Sequence, residues 1–114
     1  MIRIVPADDA LLQRFYATPP PVKVEAVAAV EDGAPLGVVG VWRAHEHGVQ
    51  VMFSDGLGSL NKRTLSNLCW SAMELAWQSD MPIFAQEDSV EGADVLLRHL
   101  GFEPATEGIW RWAK

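Results

Sequence analysis

Cysteine is scarce in this chain: Cys69 is the only one among 114 residues. A lone cysteine closes no internal disulfide, which excludes a disulfide framework and suits a reducing compartment. Long apolar runs are missing too, and none approaches the ~20 residues that a membrane-spanning helix needs. Charge enters early, at Arg3, Asp8 and Asp9, and leaves no room for the apolar core of a secretory leader. The expectation is a protein that is not secreted and stays in the cytoplasm. Basic clusters are also absent. Nine Lys and Arg face fifteen Asp and Glu, a formal charge of −6, so neither nucleic acid nor an anionic membrane is an expected partner. Without repeats, low-complexity tracts or linkers, residues 1–114 read as one domain with a single core.

What the sequence does have is concentrated between Val49 and Gln78. Val49 to Ser54 reads as a strand, Asp55 to Leu60 as a turn-rich loop, and Asn61 to Gln78 as a long helix. Leu65, Leu68, Cys69, Ala72, Met73 and Ala76 recur at the 3.6-residue period of one apolar stripe. Asn61 is a good N-cap, since its side-chain oxygen can accept from an orphan N–H of the first turn. Leu60 and Leu65 have the spacing of a hydrophobic staple. A strand that feeds a helix through a short loop aims free N–H groups beyond the strand end, a favoured place for an anion. Cys69 lies on the stripe and reads as a small buried side chain rather than a nucleophile.

The remaining elements follow in order. Ile2 to Val5 is a short strand. Asp8 or Asp9 caps a helix running to about Ala17, and Pro19, Pro20 and Pro21 stop it. A β-meander comes next. Val22 to Val30 alternates, Asp32-Gly33 makes a two-residue hairpin turn, and Leu36 to Ala44 is a nearly continuous apolar strand. Gly37 and Gly40 inside it mark a bulge or a close backbone approach. His45 to Gly48 turns into the strand at Val49. Past the long helix, Ile83 to Gln86 is a strand and Ser89 caps a second helix over Val90 to Leu100. Gly101 ends that helix. Phe102 to Ala105 and Ile109 to Ala113 are the last strands. The order is β-α-β-β-β-α-β-α-β-β, an α/β (α+β) fold.

That order, with Ala93, Leu96, Leu100, Gly101 and Phe102 in the run A-D-V-L-L-R-H-L-G-F, resembles the GCN5-related N-acetyltransferase (GNAT) family. The resemblance implies a mixed sheet of six to seven strands with helices on both faces, and an acyl-CoA N-acyltransferase fold. Two chemical signatures of the family depart. Its coenzyme loop, Q/R-x-x-G-x-G/A, uses glycines so that backbone N–H groups close on a pyrophosphate. Here Arg63 and Leu65 stand in those places, and Gly56 and Gly58 come too early. The position of the family's tyrosine acid is Leu97, which has no proton to give. Short GNAT-like proteins with an eroded loop resemble those of tailed phages, among them the internal virion protein group of T7-like phages. By this analogy the expected role is a non-catalytic virion or assembly protein in the host cytoplasm. It would contact phage structural or host proteins, with no cofactor and with a homo-oligomer open. The alternative is a diverged acetyl-CoA-dependent N-acetyltransferase acting on a small-molecule or protein amine.

Candidate residues follow from both readings. Asn61, Lys62, Arg63 and Thr64 open the long helix where the family holds its pyrophosphate. Cations there oppose the helix dipole, which a bound phosphate would offset and which two solvated side chains would simply tolerate. Asp55, Glu87 and Asp88 lie at or just beyond strand ends beside the same cleft. General-base work on an amine needs a carboxylate that burial has made less acidic. Ser89 would stand in for the lost tyrosine, against its simpler role as a cap. His45-Glu46-His47 has H-x-H spacing but lacks a converging third ligand, so no metal is expected. Trp70 and Trp77 share a helix face offset from the core stripe. They form either a partner-binding ridge or a face covered by the first helix or the chain's end.

Overall fold

The computed structural model describes residues 1–15, 24–86 and 92–113. Pro19, Pro20, Pro21, Glu87, Asp88 and Ser89 lie outside the described residues. The elements are β1 (Ile2–Pro6), α1 (Asp9–Leu12), β2 (Val24–Glu31), β3 (Ala34–Ala44), β4 (Val49–Asp55), α2 (Lys62–Ala76), β5 (Ile83–Gln86), α3 (Ala93–Leu100), β6 (Phe102–Thr106) and β7 (Ile109–Trp112). A 3-10 turn at Leu57–Ser59 joins β4 to α2. The order is the one the sequence predicts.

Local chemistry explains most boundaries. Asp8 caps α1 by accepting from the Leu11 N–H at 2.9 Å. This helix is shorter than the predicted run to Ala17. After Leu12 the chain tightens into i→i+3 bonds, from Arg14 N–H to Leu11 and from Phe15 N–H to Leu12, the geometry that commonly closes a helix. Asp32 and Gly33 both take positive φ, at 51° and 79°, as a two-residue hairpin turn requires. Gly40 is a close approach rather than a bulge: an added Cβ would stand 2.6 Å from the Ala26 Cβ and from the Glu25 carbonyl. The register shift in this hairpin falls instead between Ala29 and Val30. α3 begins at Ala93, where Gly92 in the left-handed region precedes it; the predicted start at Val90 lies outside the described residues.

Seven strands form one mixed sheet in the order β1-β2-β3-β4-β5-β7-β6. β4 and β5 are parallel, with Gln50 opposite Ile83 and Met52 opposite Ala85. α2 is the crossover between them, as parallel neighbours demand. The other neighbouring strands are antiparallel. Both faces are covered by helix. Leu68, Cys69, Ala72, Met73 and Ala76 of α2 pack on Val27, Ala29, Val39 and Val41. Leu100 of α3 joins that same core. On the opposite face Leu12 of α1 packs with Ala26, Ala28 and Val38.

The C-terminal end of α2 is tied into the sheet by a polar cluster. Gln50 is fully buried on β4. Its amide Nε2 donates to the Ala76 and Met81 carbonyls, both at 2.9 Å. Its Oε1 accepts from Arg43 Nε at 3.0 Å. Arg43 also donates to the Leu75 carbonyl at 2.7 Å and pairs with Glu25 at 2.9 Å. Carbonyls at a helix C-terminus carry partial negative charge, so a guanidinium and an amide N–H are suited to them.

Candidate functional site

The site opens where β4 and β5 part. Their pairing covers only Gln50–Met52 against Ile83–Ala85. β4 runs on to Asp55 along β3 alone. The gap between the diverging strands, roofed by α2 and α3, is a cavity of about 620 Å³. Its wall is mostly aliphatic. Leu65 and Met73 contribute from α2, Leu96 and Leu97 from α3, and Met52 from β4. The described polar side chains on it are Ser54, Cys69 and Gln86.

Cys69 shows what this wall does to chemistry. Burial pushes its thiol up to about 11, because an apolar surround disfavours the thiolate. At neutral pH it is a protonated, unreactive group, in agreement with its reading as a packing residue. Leu97 lines the cavity at the place where the resemblance puts a tyrosine. It supplies apolar surface and no proton.

The first turn of α2 lies beyond the cavity. Asn61 caps it, with its Oδ1 accepting from the Thr64 N–H at 2.8 Å. One of the N–H groups that an anion would use is therefore already engaged. Lys62 and Arg63 are exposed, and neither forms an ion pair among the described residues. Gly56 and Gly58 do not serve this turn. Gly56 is left-handed, at φ 73°, and an added Cβ would lie 2.5 Å from the Leu36 carbonyl. Gly58 sits within the 3-10 turn. The loop is thus seated against β3, with Leu60 against Gly37.

The structure brings some of the predicted residues together and separates others. Asn61, Lys62, Arg63 and Thr64 form one turn, but none of them lines the cavity. Asp55 ends β4 in an exposed position, without the burial a general base needs. Met52, Ser54, Leu57 and Leu96 do line the cavity, and sequence reasoning missed them. The parity of β4 was an available signal: Met52 and Ser54 lie on the same side as buried Gln50, the side that faces α2.

Trp70 and Trp77 point away from the cavity. Trp70 is half-buried against the core, and Trp77 is 43% exposed. Their ring centroids are 6.1 Å apart, and Trp77 lies 5.4 Å from Trp112 at the end of β7. Trp112 donates from Nε1 to the Leu100 carbonyl at 3.0 Å, which ties the last strand to the end of α3. Among the described residues no three His, Cys, Asp or Glu side chains gather as a metal would require.

Two solved structures share this architecture. An acyl-CoA N-acyltransferase from Pseudomonas aeruginosa superposes with a TM-score of 0.65 at 15% identity, over 99% of this chain and 100% of its own. The putative N-acetyltransferase YhhK from E. coli, solved bound to coenzyme A, gives a TM-score of 0.59 at 14% identity, over 100% and 99%. No protein-family model and no curated protein matches the sequence. The end-to-end superposition, the parallel β4–β5 pair and the α2 crossover together show that this chain has the GNAT acyl-CoA N-acyltransferase fold.

Proposed function

We propose that this chain keeps the acyltransferase fold without acyl transfer and acts through protein contacts, as a virion-associated or assembly protein of the tailed-phage kind. The observation that carries the loss of catalysis is the first turn of α2. Asn61 occupies the Thr64 N–H, and the side chains of Arg63 and Leu65 stand where a pyrophosphate would need bare backbone. The aliphatic wall around Leu97 and the protonated Cys69 agree with it. The phage assignment rests on the resemblance of this short chain to virion proteins with an eroded coenzyme loop. Trp77, with its large exposed ring beside Trp70 and Trp112, is the surface offered to a partner, since tryptophan is enriched among interface hot spots.

A second reading, an acyl-CoA-dependent N-acyltransferase, is favoured by one observation. The cleft between β4 and β5 is open, and Lys62 and Arg63 stand exposed near its end without ion-pair partners among the described residues. YhhK, with the same fold, was solved with coenzyme A. In this reading Asp55 or Glu87 is the base and Ser89 the acid. An assay for thiol release from acetyl-CoA, over a panel of small amines and basic peptides, separates the two. The first reading expects no release above the rate without protein. Turnover that falls with Asp55→Asn or Glu87→Gln establishes the second.

A further inference from the structure

A second pocket, of about 600 Å³, lies at the other end of β5 from the cleft. It forms where Trp77 at the end of α2, the segment 79–82 and the strands β6 and β7 meet. We infer that it takes an arginine side chain of a partner protein, with the guanidinium against Trp77 and Trp112 and its N–H groups donating to Asp80 and Glu103. The inference rests on the reading of Trp77 as the surface offered to a partner, and it names what that partner presents. Aromatic surface is the first argument. Trp77 is 43% exposed, its ring lies 5.4 Å from that of Trp112 at an inclination of 45°, and both line the pocket. An indole face attracts a cation. Among the described residues no cation stands over either of these rings, whereas Arg98 already lies 5.0 Å over the ring of Trp110.

Charge is the second argument. Asp80 and Glu103 both line the pocket and both are exposed. Arg111 is the one basic side chain among the described lining residues. It stands opposite Glu103 across the β6–β7 pair, yet the two form no ion pair. Two carboxylates against one guanidinium leave the pocket with a surplus of negative charge, on a chain whose formal charge is −6. Such a field draws a basic partner and turns an acidic one away. Arginine suits the site better than lysine. Its planar fork meets a carboxylate with two parallel N–H groups, and its flat face lies on an indole.

The test is an NMR titration of the isotope-labelled protein with a capped Gly-Arg-Gly peptide, using Gly-Lys-Gly and Gly-citrulline-Gly as references. Indole N–H signals are assigned by replacing each tryptophan with phenylalanine. The arginine peptide should shift the Trp77 and Trp112 indole signals saturably. The lysine peptide should bind more weakly, and the uncharged citrulline peptide about tenfold more weakly. Asp80→Asn together with Glu103→Gln should weaken the arginine peptide about tenfold, the loss of two exposed ion pairs. Trp77→Ala should abolish saturation. A lysine or citrulline peptide that binds as tightly as the arginine peptide overturns the inference. So do shifts confined to the other tryptophans, or an affinity that ignores the loss of the two carboxylates. Should Trp77→Ala fail to fold, the carboxylate variant decides alone, because both of its side chains are exposed. Thiol release from acetyl-CoA would sink the non-catalytic reading and leave these shifts in place, so the two fail separately.

Discussion

The two ends of α2 are built on opposite plans. At the C-terminal end the sheet reaches up to the helix: Arg43 and Gln50 bond the Leu75 and Ala76 carbonyls, and Glu25 steadies the guanidinium. At the N-terminal end the helix closes on itself, with Asn61 bonding its own first turn and Lys62 and Arg63 left in solvent. One end is cross-linked to three strands and the other is joined to the fold by a loop seated on β3. In an acyltransferase the N-terminal end does the chemical work of holding phosphate. Here the sheet's side-chain bonds to the helix are made at the end far from the cleft, while at the cleft end Asn61 takes the Thr64 N–H. The contrast is what the proposed non-catalytic reading expects.

That contrast can be tested by breaking each end in turn. The largest effect belongs to Gln50. Gln50→Leu leaves the Ala76 and Met81 carbonyls without their side-chain donor and removes an acceptor from Arg43. A denaturant melt should show a loss of about 3 kcal/mol or more, since each buried polar group left unpaired costs about 1–3. A loss below about 1 kcal/mol would mean that the C-terminal anchor is ornamental.

At the middle of the helix, the raised Cys69 pKa predicts a pH effect. In the unfolded chain the thiol ionises near its ordinary value of about 8.5, whereas in the folded protein it holds its proton to about 11. The unfolded state thus binds fewer protons in that window, so stability falls as pH rises from about 8.5 to 11. Cys69→Ala should flatten this slope relative to the unaltered protein in melts between pH 8 and 11. Identical slopes would show that the thiol is not shielded.

A smaller effect is expected at the N-terminal end. Asn61→Ala should cost about 1 kcal/mol, the usual value of a lost side-chain cap. A much larger loss would place a hidden role on Asn61 and weaken the contrast between the ends.

How much of this was legible in the sequence depends on the range of the interaction. Local signals served well. Asn61 as cap, the Leu65-to-Ala76 stripe, Asp32-Gly33 as a hairpin and Gly101 as a helix end are each set by neighbours within a few residues. Gly40 stood out in β3, but only the pairing with β2 shows what presses on it. The Arg43–Gln50–Glu25 cluster was not foreseen. Its members come from three strands, and a glutamine in a strand of alternating Val49, Val51 and Phe53 reads as an outward-facing residue until α2 is laid over it. The cavity was missed for the same reason. Leu65, Cys69 and Met73 were recognised as an apolar stripe, yet part of that stripe lines a cleft, and no spacing in the helix reveals where β4 and β5 separate.

In the proposed reading the first turn of α2 does not hold a coenzyme pyrophosphate. Calorimetric titration of the protein with coenzyme A lacking any acyl group, at low salt, tests it most directly, because the pyrophosphate is then free of any contribution from an acyl chain. No saturable heat is expected up to millimolar ligand, and no difference between the unaltered protein and a Lys62→Ala, Arg63→Ala variant. Saturable binding in the micromolar range that the double variant abolishes would contradict it and show that two exposed cations had replaced the glycine loop.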